Sequence, residues 1–159
     1  MTSSLPTSAS KLDWPVVKPF VVRKIAAADD IDGFGHVNNR RYIDWALETA
    51  WAHSTALGFP FEEFKRLGAG FVVWRHEFDY AAPALEGDEI AIATWIADND
   101  GRLRLTRAYE MRRIADGKAL FRGRTRFITI DMETGKPRRM PKAYAEVYRA
   151  AQSASEPNG

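Results

Sequence analysis

Residues 30–45 read DIDGFGHVNNRRYIDW. An acidic, glycine-punctuated turn runs there straight into a segment with helical spacing. A carboxylate in such a turn lies close to the first N–H groups of the helix, which have no intrahelical partner. A carboxylate that activates water or attacks carbon, beside a donor for a developing oxyanion, is the minimal equipment for acyl transfer. Asp32 is the carboxylate best set for that work, because the positive end of a helix favours an anion. Aspartate ahead of glycine is also a common turn former, so the residues alone leave both roles open. Strand alternation puts Asp30 on the same side as Asp32 and Asp29 opposite; Asp30 is expected to be structural or solvated. Gly33 and Gly35 let the main chain approach a reacting group or take positive φ. His36 reads as a hydrogen-bonding packing residue of the turn rather than a base. Asn38 orients a substrate or caps the helix, and either Asn38 or Asn39 can be the N-cap.

The elements that must position this turn follow from periodicity. Phe20–Ala27 is a short β-branched run. Asn39–Leu57 has helical spacing, with Gly58 as its stop and Pro60 beyond it. Its apolar residues, from Tyr42, Ile43 and Trp45 to Trp51 and Ala52, cover more than one stripe, which predicts a buried helix. Phe61–Leu67 adds a further helical turn. From Phe71 the period becomes that of strands. The run from Asp88 alternates with Ile90, Ile92, Thr94 and Ile96 on one face. The next alternates with Leu103, Leu105, Arg107, Tyr109 and Met111 together. Asp100-Gly101 and Asp116-Gly117 are hairpin turns. The last long strand is ALFRGRTRFITID, and PKAYAEVYRAA is a short C-terminal helix with proline at its start. One long helix beside hairpin-linked strands implies an α+β fold, a curved antiparallel β-sheet wrapped around a central α-helix.

The chain has 159 residues and no cysteine. That length suits one domain with one core, expected over residues 13–151, with flexible tails at 1–12 and 152–159. The lack of cysteine excludes disulfides, thiolate metal sites and a cysteine nucleophile. His36, His53 and His76 are widely spaced, so no metal site is expected, and no glycine-rich nucleotide loop is present. No apolar run is long enough for a membrane span and the start lacks a secretory pattern; a cytoplasmic protein is expected. Formal net charge is +2, yet residues 102–126 hold eight arginines, with Arg138 and Arg139 after them. Such a cluster suits a phosphate-bearing partner or a solvated strand face.

The order strand, turn, buried helix and antiparallel strands, with Asp32-Gly33-Phe34-Gly35-His36-Val37-Asn38-Asn39 followed by Tyr42 and Trp45, resembles the hotdog-fold acyl-CoA thioesterases. The nearest branch is that of the hydroxybenzoyl-CoA thioesterases. The resemblance covers about residues 15–150; its turn motif is specific and its strands are generic. It implies that Asp32 is the catalytic carboxylate, as general base or nucleophile, and that the Asn39 N–H is the oxyanion donor. It implies a homodimer or homotetramer with the site at the subunit interface, and an acyl-CoA or acyl carrier protein thioester as substrate, with no cofactor. Gly33, Gly35, His36, Asn38, Tyr42, Trp45 and Trp74 are then the candidates for substrate contact, with Phe71 and Phe78 as further aromatic lining. Glu48 is a weaker second choice for the carboxylate, since another branch of the fold uses one within the helix. The rivals are a hydratase or dehydratase on the same fold, whose Asp/His signature is missing, and a non-enzymatic acyl-CoA-binding module. Neither a nucleic-acid partner nor a membrane span is expected.

Overall fold

A computed structural model describes residues 12–154. The remaining tail residues expected at 1–11 and 155–159 lie outside the described part. Chain order is β1 (Phe20–Ile25), a 3-10 turn (Ala28–Asp30), α1 (Asn39–Ala56), α2 (Phe61–Leu67), β2 (Ala69–Tyr80), β3 (Glu89–Asn99), β4 (Arg104–Arg113), β5 (Ala119–Asp131) and α3 (Lys142–Val147). The strands form one five-stranded sheet in the order β1-β3-β4-β5-β2, and every pairing is antiparallel. α1 therefore carries the chain from one edge of the sheet to the other.

The turns expected from Asp-Gly close the central hairpins. Asp100 Oδ1 accepts the N–H groups of Arg102, Leu103 and Arg104 at 2.8, 2.8 and 3.0 Å, which fixes the β3–β4 register. Those bonds draw the Asp100 carboxyl below its ordinary range even though burial acts against them. The same device recurs after β5, where Asp131 Oδ1 accepts from Glu133 and Thr134.

α1 lies on the inner face of the sheet. Tyr42, Trp45 and Ala46 pack there against Ile90, Ile92, Tyr109, Met111 and Phe121. A second apolar cluster at the far end of α1 joins Phe59, Phe64, Ile96, Leu105, Tyr144 and Tyr148. Tyr144 donates to the Ala69 carbonyl at 2.7 Å and Tyr148 to Ser54 Oγ at 2.9 Å, so α3 pins both the end of α1 and the start of β2. On the outer face Trp14 covers Ala91 and Ala93. Residues this small on β3 are what admit an indole. Gln152 and Ala154, in the stretch expected as a tail, bond to Val17 and Pro15.

The helix is not buried all round. Trp51 is 50% exposed, and Asp44 and Glu48 are exposed as well. A helix on one sheet hides only the flank that faces it, so the second apolar stripe stays open in a single chain. β2 is also open. Among the described residues it forms an edge and pairs only with β5, and most of its residues are exposed.

Gly123 holds β2 close to the sheet. A Cβ there would lie 2.6 Å from Phe78 Cδ1. Gly123→Ala is expected to cost about 1–3 kcal/mol through overpacking, read as a lower urea midpoint with an unchanged slope.

Candidate active site

The turn before α1 is a small closed hairpin. Ile31 and Val37 form an isolated bridge. The Asp32 N–H donates to the His36 carbonyl at 2.8 Å, and the Gly35 N–H to the Asp32 carbonyl at 3.0 Å. Gly35 has φ +81° and Gly33 does not have positive φ. Of the two expectations for these glycines, left-handed backbone therefore holds at Gly35. Gly33 has nothing within 4 Å of the site of a Cβ, so its missing side chain leaves an open approach. Phe34, at the tip, is 89% exposed.

Asp32 is half-buried. Its Oδ1 accepts the Phe34 N–H at 2.9 Å, and Oδ2 has no bond among the described residues. One oxygen is thus anchored while the other is available. Asp30 has a different role. Its carboxylate accepts the Ala27 N–H at 2.9 Å and pairs with Arg41 at 3.1 Å, and its carbonyl accepts the Asn38 N–H at 2.8 Å. The chain also leaves strand geometry at Ala28–Asp30, so simple alternation does not relate Asp30 to Asp32.

Asn38, not Asn39, is the N-cap. Its Oδ1 accepts the Arg40 N–H at 2.9 Å and its carbonyl accepts the Arg41 N–H at 2.9 Å. The cap leaves the Asn39 N–H without an acceptor among the described residues. The Asn39 carbonyl accepts the Tyr80 hydroxyl at 3.3 Å, which ties the helix start to the end of β2.

The remaining candidates separate. Tyr42 and Trp45 are core residues, 2% and 3% exposed. The Tyr42 hydroxyl accepts the Ala84 N–H at 3.0 Å, and burial raises its pKa. Buried aromatics under α1 position the turn rather than line an opening in the single chain. His36 is exposed. Trp74 is 45% exposed on β2, with the Arg126 guanidinium 5.7 Å from its ring. Glu48 is exposed and 3.8 Å from Lys24. Among the described residues no cluster of histidine, aspartate or glutamate could hold a metal.

The arginines do not form one surface, because alternate residues of a strand face opposite ways. Arg107 turns inward and is buried. Arg112 and Arg122 neutralise the buried Glu110 at 3.0 and 2.9 Å, and Arg113 pairs with Asp88 and Asp116. Arg104, Arg124 and Arg126 join Trp74 around a shallow cavity of about 300 Å³.

A larger cavity of about 420 Å³ opens beside the second half of α1. Its walls include Leu47, Trp51, Phe61 and Phe71, and Ser54, Arg107 and Tyr148 supply its polar groups. Phe71 is among its walls; Asp32 and Asn39 are not among the residues that line this cavity. Sequence reading did not single out Arg107. The available signal was its place among Leu105, Tyr109 and Met111 on the buried side of β4.

The family model for the thioesterase-like superfamily matches residues 26–148. The chain belongs to this superfamily. No curated protein matches it significantly. Solved structures of the same hotdog architecture lie at low identity. A 1,4-dihydroxy-2-naphthoyl-CoA thioesterase from Synechocystis superposes with a TM-score of 0.73 at 18% identity, covering 82% of this chain and 96% of that one. A DHNA-CoA thioesterase from Staphylococcus aureus gives 0.71 at 22%, covering 81% and 90%. Another Staphylococcus aureus protein, solved in complex with CoA, gives 0.77 at 16%, covering 91% and 93%. The fold is that of a thioesterase-superfamily domain, with α1 as its central helix. No helix among the described residues is long and apolar enough to cross a membrane.

The two turn glycines make separate demands on this thioesterase-superfamily turn. Gly35→Ala is expected to cost about 1–2 kcal/mol, the penalty for a side chain in left-handed backbone. Gly33→Ala is expected to leave thermal stability essentially unchanged. Differential scanning calorimetry of both variants checks the contrast.

Proposed function

We propose that the protein is an acyl-CoA thioesterase that hydrolyses an acyl thioester to the free acid and the thiol, with Asp32 as its catalytic carboxylate. The observation that carries this reading is the pairing within the turn. Asp32 is anchored through one oxygen and keeps the other free, while the cap on α1 satisfies Arg40 and Arg41 and passes over Asn39. The Asp32–His36 and Asp30–Asn38 bonds draw these two groups onto adjacent arms of one hairpin. A thioester carbonyl that accepts the Asn39 N–H meets the positive end of α1, where the oxyanion is stabilised as it forms. The free carboxylate oxygen then takes a proton from water as that water adds to the carbonyl, or attacks the carbonyl carbon itself. Collapse of the tetrahedral intermediate breaks the C–S bond, and the leaving thiolate takes up a proton. In the second route water then cleaves the mixed anhydride to free the acid and the carboxylate. The open space above Gly33 lets the substrate reach the main chain, and His36 and Asn38 flank it.

Coenzyme A as the leaving thiol is supported by the CoA and aryl-CoA chemistry named for its structural neighbours. Arg104, Arg124 and Arg126 share one cavity, with only a loose 3.8 Å pairing of Arg126 to Glu77, and are the arginines suited to phosphate, since the guanidinium fork matches phosphate oxygens. An acyl carrier protein thioester fits the same reaction.

The working unit is a homodimer or a pair of dimers. β2 is a long, exposed edge carrying Val72, Val73, Trp74 and Tyr80, and an unpaired edge of that kind invites a second strand. Two-fold pairing of β2 with its copy sets the start of one strand beside the end of the other. The start, Gly70–Val73, lines the apolar cavity, and the end, Tyr80, touches the Asn39 carbonyl. The cavity of one copy would then face the catalytic turn of the other, which accounts for their separation within a single chain.

Asp32→Asn is expected to lower the rate of thiol release from acyl-CoA by at least about a hundredfold with the fold intact by circular dichroism; near wild-type turnover would end the assignment. Asp30→Asn should keep most of the turnover and lose a little stability through the weakened Arg41 pair. Lysines at Val72 and Trp74 together are expected to give a monomer by light scattering and to abolish turnover. A dimer with full activity would remove the β2 edge from the site.

A further inference from the structure

Arg107 lies mid-strand in β4 and is 3% exposed. Both hydrogen bonds found for it leave from Nη1, to His53 Nδ1 at 2.8 Å and to Thr94 Oγ1 at 3.1 Å. Nε and Nη2 donate to nothing among the described residues, and no carboxylate there forms an ion pair with the guanidinium. Burial weakens its hold on the proton, and the nearby Tyr109 and Tyr148 hydroxyls offset this only in part. His53 accepts at Nδ1 as a neutral imidazole. Burial and the adjacent guanidinium push its pKa down to about 4, and Phe20 stacks on its ring at 5.0 Å.

A buried cation held only by neutral groups is an unstable arrangement unless something negative approaches it. Arg107 also lines the 420 Å³ cavity, whose walls are otherwise largely apolar. Ser54 and Tyr148 lie on that cavity but are engaged with each other. The opening thus offers apolar walls and one donor-only cation, whose planar fork matches a carboxylate. A plain hydrocarbon tail would fill the walls and leave the cation without a counter-charge.

We propose that this cavity receives the acyl group of the substrate and that Arg107 binds a carboxylate carried on that group, so that the preferred substrates are thioesters of dicarboxylic acids. The inference rests on the thioesterase reading above and adds the class of acyl group to it. Arg107 is a specificity residue: it touches the acyl group and not the reacting carbonyl.

Adipoyl-CoA and hexanoyl-CoA have the same carbon chain and differ in the terminal carboxylate. Wild-type kcat/KM is expected to favour adipoyl-CoA by about tenfold or more, and Arg107→Gln to bring the ratio near unity, a change of roughly ten- to a hundredfold. In parallel, adipate should raise the wild-type Tm where hexanoate does not, and the rise should vanish in Arg107→Gln. Hexanoyl-CoA turned over as well as adipoyl-CoA, with no stabilisation by adipate, would overturn the proposal. Should no CoA thioester be cleaved while adipate still stabilises the protein through Arg107, the carboxylate site stands and the hydrolase reading alone falls. If Arg107→Gln does not fold, the wild-type substrate ratio and the wild-type adipate shift decide.

Discussion

Asp30 is the clamp on which the candidate site depends. Its carboxylate holds the Ala27 N–H and Arg41, and its carbonyl holds the N–H of Asn38. Three different segments, the end of β1, the cap and the first turn of α1, are thereby fixed to one residue. The hairpin between Ile31 and Val37 has its two ends drawn together at this point, and the Asp32–His36 bond closes it further in. Asp32 inherits its position from that closure. The candidate carboxylate sits two residues away from the group that holds its turn, and the clamp uses Asp30's bonding capacity for structure.

The helix behind the clamp is under a second constraint. α1 must reach across the sheet from β1 to β2, because those strands occupy opposite edges. Tyr42 fixes the near end by accepting the Ala84 N–H, and Tyr148 fixes the far end through Ser54. Between these ends the helix packs on the sheet with one flank only. What is left open, Trp51 and the cavity beside it, lies on the same side as the unpaired β2 edge. An open helix flank, an open strand edge and an apolar cavity in one region are the expected appearance of half a site. The proposed self-association of β2 would account for all three at once, since it would cover the edge and close the cavity.

Arg107 is a buried cation on a largely apolar inner face. A cation among Leu105, Tyr109 and Met111 is tolerated because Thr94 and a neutral His53 give it oxygen and nitrogen acceptors. Those partners fix its orientation and do not cancel its charge. A desolvated charge that faces a cavity is a candidate for binding, and the guanidinium's place on the cavity gives it something to act upon.

Local pattern carried most of the architecture. The helix from Asn39, the Asp-Gly hairpins, the strands and the α+β arrangement follow from period, caps and turn residues, which are set by neighbours in the chain. The turn motif likewise singled out Asp32 and the start of α1, because a carboxylate before a helix N-terminus is a local arrangement. The choice between Asn38 and Asn39 as cap needed coordinates, as did the role of Asp30, since both turn on which carbonyl or carboxylate reaches which N–H. Trp45 and Arg107 show the limit most clearly. Each has an ordinary sequence context, yet one is sealed in the core and the other is a buried charge on a cavity. Period tells which side of a strand or helix a residue occupies; only the packing of distant segments decides what that side meets.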